Sequence, residues 1–247
     1  MEIVSQEKID DLIENGYALQ PSEYISGGVR MVKENLGLFV GYTVLMFVIN
    51  AFASIFPFGG LVVGAPLTAG FFLAANKLNQ GYELELGDFF KGFNHLGQLV
   101  VYSLLVILLF AILAIPAGVF AVSMIAFDFD GDFAIIFALM FGFAVLAMVL
   151  YFAVSFMWAP HLIIFGKKKA WESMEISHKI IKKDFINFIG FGLMLGLMNI
   201  AGFLFFGVGL LFTIPATACA LYLAFEDVTE MRLENNDGLY LDKHLVD

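Results

Sequence analysis

Four stretches of this chain contain no Asp, Glu, Lys or Arg: Asn35 to Asn76, Gly92 to Phe127, Phe133 to Gly166 and Phe185 to Phe225. A helix that crosses the hydrocarbon core needs roughly 20 apolar residues. The first and fourth stretches each hold two such helices and the other two hold one each, which predicts six spans. Pro57 to Gly60 (PFGG) and Phe206 to Gly209 (FGVG) split the long stretches, and both are loop chemistry. Composition agrees, because 60% of residues are hydrophobic and 15% charged, outside the range of ordinary soluble domains. The expected fold is all-α and polytopic, with spans at about 36–56, 61–77, 96–122, 133–165, 185–205 and 208–226. Residues 1–20 form an acidic N-terminal segment, 21–228 the six-helix domain and 229–247 the C-terminal tail.

Lys and Arg remain on the cytoplasmic side of short loops. Lys8, Arg30 and Lys33 precede span 1, and Lys77 and Lys91 lie between spans 2 and 3. Lys167, Lys168, Lys169, Lys179, Lys182 and Lys183 lie between spans 4 and 5, and Arg232 and Lys243 follow span 6. These are all 13 basic residues, so both termini are expected in the cytoplasm. The first 34 residues lack a signal-peptide pattern, so the spans are expected to direct insertion. Cys219 is the single cysteine, which leaves neither a disulfide framework nor a cysteine metal set. The net charge is −10, and no basic stripe points to nucleic acid.

Sliding the chain by 149 residues places Pro66 on Pro215, Lys33 on Lys182, Gly41 on Gly190, Asn50 on Asn199, Gly60 on Gly209 and Thr68 on Thr217. Paired Lys, Asn, Gly and Pro are hard to match by chance, and the agreement reads as a duplicated hairpin. Both copies start on the same side, which calls for an axis along the membrane normal. Spans 3 and 4 read as a diverged third hairpin, with Pro160 in the place of Pro66.

A proline inside a helix leaves the carbonyl four residues earlier without its donor and kinks the helix. The carbonyls concerned are those of Val62, Phe156 and Leu211, and Thr68 and Thr217 are candidates to satisfy them. Pro66, Pro160 and Pro215 either shape bundle packing or form a hinge and cavity. Asn50 and Asn199 read either as interhelical hydrogen-bonding groups or as substrate contacts, and His161 either as a hydrogen-bonding packing residue or as a catalytic base. Gly37–Gly41, Gly60–Gly64 and Gly192–Gly196 are G-x-x-x-G pairs, which permit close helix approach.

An amphipathic segment precedes each hairpin: Pro21–Gly37, Gly87–Gln98 and Lys167–Asp184. In the last, Trp171, Met174, His178 and Ile181 share one helical face. Such a helix is expected to lie in the interface, with lysines among anionic headgroups. The lysines serve equally as topology determinants. Near the N-terminus Ile9, Leu12 and Ile13 share one side of a short helix that Gly16 ends, for docking on the chain's own loops or a soluble partner.

No carboxylate or base pair lies within the spans to couple ions or hydrolyse a substrate. Asp128, Asp130 and Asp132 lack the rest of a calcium loop and read as a solvated turn. No catalytic, cofactor or metal residues are assigned, and nucleotide-binding motifs are absent from the sequence.

Through "YISGGVRMVKENLGLFVG", "AWESMEISHKIIKKDF" and the two P-x-T-A segments at Pro66 and Pro215, the chain resembles a broad group of bacterial six-helix inner-membrane proteins. That group is similar to the membrane domain attached to some glycerophosphoryl diester phosphodiesterases. The resemblance implies fold and inner-membrane location but no active site, because no catalytic domain accompanies it. The expected role is a non-enzymatic scaffold or accessory subunit that meets anionic lipid and other membrane or cytoplasmic proteins. The alternative is a transporter or binder of lipid or a small amphiphile, using a cavity between proline-kinked helices.

Overall fold

The computed structural model describes residues 2–126, 132–234 and 240–241. The described residues are mainly helical, joined by short turns and loops, with three strands of two or three residues near the termini. The helices are α1 (Gln6–Asn15), α2 (Pro21–Glu34), α3 (Leu36–Ala53), α4 (Gly59–Asn79), α5 (Leu86–Phe89), α6 (Leu96–Ala126), α7 (Asp132–Ser155), α8 (Ala159–Ile164), α9 (Ala170–Lys183), α10 (Phe185–Leu204) and α11 (Leu210–Thr229). A 3₁₀ segment, Phe90–His95, joins α5 to α6. Six helical stretches are long and apolar enough to cross a membrane, the architecture of a multi-pass membrane protein. Asp128 and Asp130 lie outside the described residues, as does most of the C-terminal tail.

The fourth apolar stretch carries an interruption. Its apolar window runs from Ile135 to Ile164, but the helix stops at Ser155 and restarts at Ala159. Hydropathy measures length and cannot see this interruption.

Helices α4 and α11 are about half buried, whereas α6 and α7 expose nearly their whole length. The core therefore sits at the charged end of the bundle, where α4, α8 and α11 meet. The opposite ends carry exposed rings, among them Phe56 and Phe206. Helices α6 and α7 touch each other, with Phe120 stacked on Phe141 at 4.4 Å.

Three shorter helical pieces, α2, α5 with its 3₁₀ extension, and α9, are packed into this core. Helix α2 crosses α11, the α5 piece lies on α4, and α9 lies on α8, α6 and α7. Each is wedged against a helix of the bundle: α2 against α11, the α5 piece against α4 and α9 against α8. Their breaks from the following spans are alike. Asn35 (φ −123, ψ 35) and Asp184 (φ −134, ψ 47) each form a one-residue break. Helices α2 and α9 begin and end 149 residues apart, at 21 and 170 and at 34 and 183.

Helix α1 starts at Ser5, whose hydroxyl accepts from the Lys8 amide, and stops at Gly16 with φ 76. Ile9 and Leu12 are buried, so this apolar stripe docks on α9 and α11 of its own chain. Lys8 reaches Glu230 at 3.0 Å.

Candidate functional site: the helix junction and the lysine-rich helix

Pro66 and Pro215 lie inside α4 and α11 and are buried. The threonines do not satisfy the carbonyls that these prolines free. Thr68 is exposed, and its hydroxyl donates to the Gly64 carbonyl at 3.0 Å, in its own helix. Thr217 accepts from the Asn199 side-chain amide at 2.8 Å. Asn50 and Asn199 both donate to the carbonyl one turn back, Met46 at 2.9 Å and Leu195 at 3.0 Å. Asn199 also ties α10 to α11 through Thr217, a link recorded for Asn199 and not for Asn50.

Pro160 does not lie inside a helix as expected. It occupies the first turn of α8, where the missing amide would have had no helical partner. Phe156, whose carbonyl the sequence left orphaned, accepts from the Ala159 amide at 3.1 Å and from the Tyr102 hydroxyl at 3.4 Å. The second hairpin's internal proline is Pro116, in α6.

His161 is fully buried at the centre. Its ring lies 4.0 Å from that of Phe72 on α4 and 5.1 Å from that of Phe225 on α11. Beside them the Asn76 amide donates to the Tyr222 hydroxyl across 2.9 Å, joining α4 to α11. Rings thus fill the junction of the proline-bearing helices. Among the described residues no group of three or more His, Cys, Asp and Glu is placed to hold a metal ion.

The wedged helices depend on small residues. A methyl group built on Gly28 would lie 2.6 Å from the Ala216 carbonyl oxygen, and one on Gly92 would lie 2.1 Å from that of Pro66. Backbones therefore touch here, next to both prolines. At the same offset of 149 residues from Gly28 stands Ser177 on α9, which spans the gap between α7 and α8. Its hydroxyl donates to the Ser155 carbonyl at 2.8 Å and accepts from the Trp158 amide at 3.2 Å. The G-x-x-x-G pairs do not fill this role: Gly37, Gly41 and Gly196 have open space around them. Close approach requires a facing backbone, and these glycines face away from the other helices.

Polar clamps hold the wedges. Buried Asp88 receives Lys77 at 2.8 Å, Lys91 at 2.6 Å and the Glu85 amide at 2.8 Å, locking the α5 piece to the end of α4. Tyr24 on α2 donates its hydroxyl to the Asp227 carboxylate on α11. Burial first, and this acidic partner second, hold the Tyr24 phenol well above its usual range.

On α9 the buried side is formed by Ala170, Ser173, Met174, Ile176, Ser177, Ile180 and Ile181. Trp171 is 68% exposed, so the apolar face read from spacing is divided between core and surface. Lys168 pairs with Glu172 at 3.0 Å and also reaches Gln6 at 2.7 Å. Lys179 pairs with Glu175 at 2.7 Å, and Lys183 lies 3.5 Å from the Glu14 carbonyl. Lys167, Lys169 and Lys182 are exposed. Between α9 and the end of α7 lies a cleft of about 220 Å³, lined by Phe152, Phe156, Trp171, Met174, Glu175 and His178.

Sequence reasoning missed Asp88, although Glu85 and Asp88 form a capping box with the spacing that signals one. It also missed Gly28 and Gly92, whose role depends on the backbone opposite. No known protein-family model, curated protein or solved structure matches this chain.

Proposed function

We propose that this chain is a non-enzymatic scaffold or accessory subunit of a membrane complex, set in a bacterial inner membrane with both termini in the cytoplasm. The observation that carries the reading is the α6–α7 arm. Its two helices leave the core as a pair and expose apolar faces along nearly their whole length. A helix pair so little covered, on a closely packed base, leaves apolar surface for lipid and for other spans. The orientation is supported by the placement of all basic residues in alternate loops.

The base is read as a duplicated hairpin with a diverged third copy. Support comes from the 149-residue offset shared by α2 with α9 and by the breaks at Asn35 and Asp184. Support also comes from the ring of contacts in which α2 lies on α11, the α5 piece on α4, and α9 on α8. Anionic headgroups are the lipid partners that the exposed Lys167, Lys169 and Lys182 would attract.

Transport through a cavity between kinked helices has less support, because Phe72, His161 and Phe225 fill that junction. The test is purification of the full chain from native membranes in mild detergent. A stoichiometric protein partner is expected, lost when bulky polar residues replace exposed Phe137 and Phe143 on α7. A chain that elutes alone, with or without those changes, overturns the scaffold reading.

A further inference from the structure

The cleft between α7 and α9 has two unlike parts. Phe152 and Phe156 form an apolar wall at the end of a span, while Trp171, Met174 and His178 form the opposing wall on α9. Tyr151 closes one side, its ring 5.8 Å from His178 and 5.1 Å from Phe185. At about 220 Å³ the space lies below the roughly 300–1,000 Å³ of a drug-sized site, so it admits part of a chain, not a whole amphiphile.

A cation stands at the C-terminal end of the α9 face that lines it. Lys182 follows His178 by one helical turn. Its side chain is exposed. The acid within the wall, Glu175, is already neutralised by Lys179 at 2.7 Å, so it offers no unpaired charge against an anion. An apolar slot opening from the end of a span, with Lys182 exposed one turn beyond its wall and the acids of that face already paired, matches one chemistry: a hydrocarbon chain carrying an anionic headgroup.

We propose that this cleft is a binding site for a single anionic phospholipid, with an acyl chain segment against Phe152, Phe156 and Trp171 and the phosphate beside Lys182. The inference deepens the proposal of anionic-lipid contact and rests on the membrane placement of the chain. It is independent of whether a protein partner exists.

The chain has two tryptophans, and Trp158 is fully buried while Trp171 lines the cleft. Trp171 is therefore the natural reporter. The full chain is reconstituted into phosphatidylcholine vesicles containing a minor share of brominated phosphatidylglycerol, or the same share of brominated phosphatidylcholine. One lysine near the surface gives roughly fivefold local enrichment of an anionic lipid, so quenching by the brominated phosphatidylglycerol should exceed that by the zwitterionic lipid by at least about twofold. The excess should vanish in Trp171→Phe, fall in Lys182→Gln, and fall in Met174→Phe, which narrows the slot. Equal quenching by both lipids overturns the site while leaving the membrane placement intact. An excess that survives both Lys182→Gln and Met174→Phe overturns it as well. Quenching by neither lipid would contradict the membrane placement itself, and with it the site.

Discussion

The Ser177 hydroxyl donates a 2.8 Å hydrogen bond to the carbonyl of Ser155 and accepts from the Trp158 amide, so α9 completes the backbone of a broken span to which it does not belong. In hydrocarbon an unsatisfied peptide group is costly. A single side chain from a neighbouring helix removes two such groups at once. Ser177→Ala should therefore lower stability by about 1–3 kcal/mol, read as thermal unfolding in detergent. An unchanged midpoint would mean that other groups or water satisfy the gap.

Gly92 and Gly28 press on the backbones of α4 and α11, where an added methyl would stand 2.1 and 2.6 Å from carbonyl oxygens. Gly92→Ala and Gly28→Ala should each cost about 1–3 kcal/mol by overpacking. Gly37→Ala, in open space, should be neutral or stabilising by up to roughly 1 kcal/mol. The three variants compared in one detergent provide the check, and an equal effect from all three contradicts the wedge arrangement.

Asp88 holds two lysine amines and a backbone amide. Asp88→Asn retains shape but removes the charge that both lysines meet. Because Lys91 is largely exposed, the loss is smaller than for a fully buried pair, about 1–2 kcal/mol. Hydrogen exchange should rise over residues 80–95 and stay unchanged in α9.

Asn199 bridges to Thr217 on the next helix, while the bond recorded for Asn50 stays within its own helix. Asn199→Leu should cost more than Asn50→Leu, by roughly 0.6 kcal/mol, the usual size of an interhelical hydrogen bond in lipid. The double change with Thr217→Val should be no worse than the single one. Additive losses would show that the two side chains act separately.

The two helix prolines stand next to close backbone contacts. If they act as hinges, Pro66→Ala combined with Pro215→Ala will alter partner binding in the co-purification assay. If they only shape packing, stability will change and binding will not.

How much of this was legible can be argued from particular residues. The six apolar helices follow from four charge-free stretches, because the absence of charge over a bilayer's thickness is a property of the chain alone. The docking stripe of Ile9 and Leu12 was visible because α1 is amphipathic, with one face that must be covered. Inside α4 and α11 no polar face marks which side is buried, so the threonine partners were assigned wrongly, and nothing in the G-x-x-x-G spacing shows that Gly37, Gly41 and Gly196 stand in open space. The break at Phe156 to Trp158 was hidden for a related reason. What permits it is Ser177, a residue 22 positions from the carbonyl it satisfies.

The sequence by itself determined that this chain forms apolar helices of membrane-spanning length with a charged set of loops, since solvent partition acts on each residue independently of its distant neighbours. Only the tertiary structure decided which helices are wedged together at Gly28, Gly92 and Ser177, that His161 is enclosed by rings, and that a cleft opens beside Trp171. These depend on what stands opposite each residue, and in a uniformly apolar helix nothing in the local pattern records that.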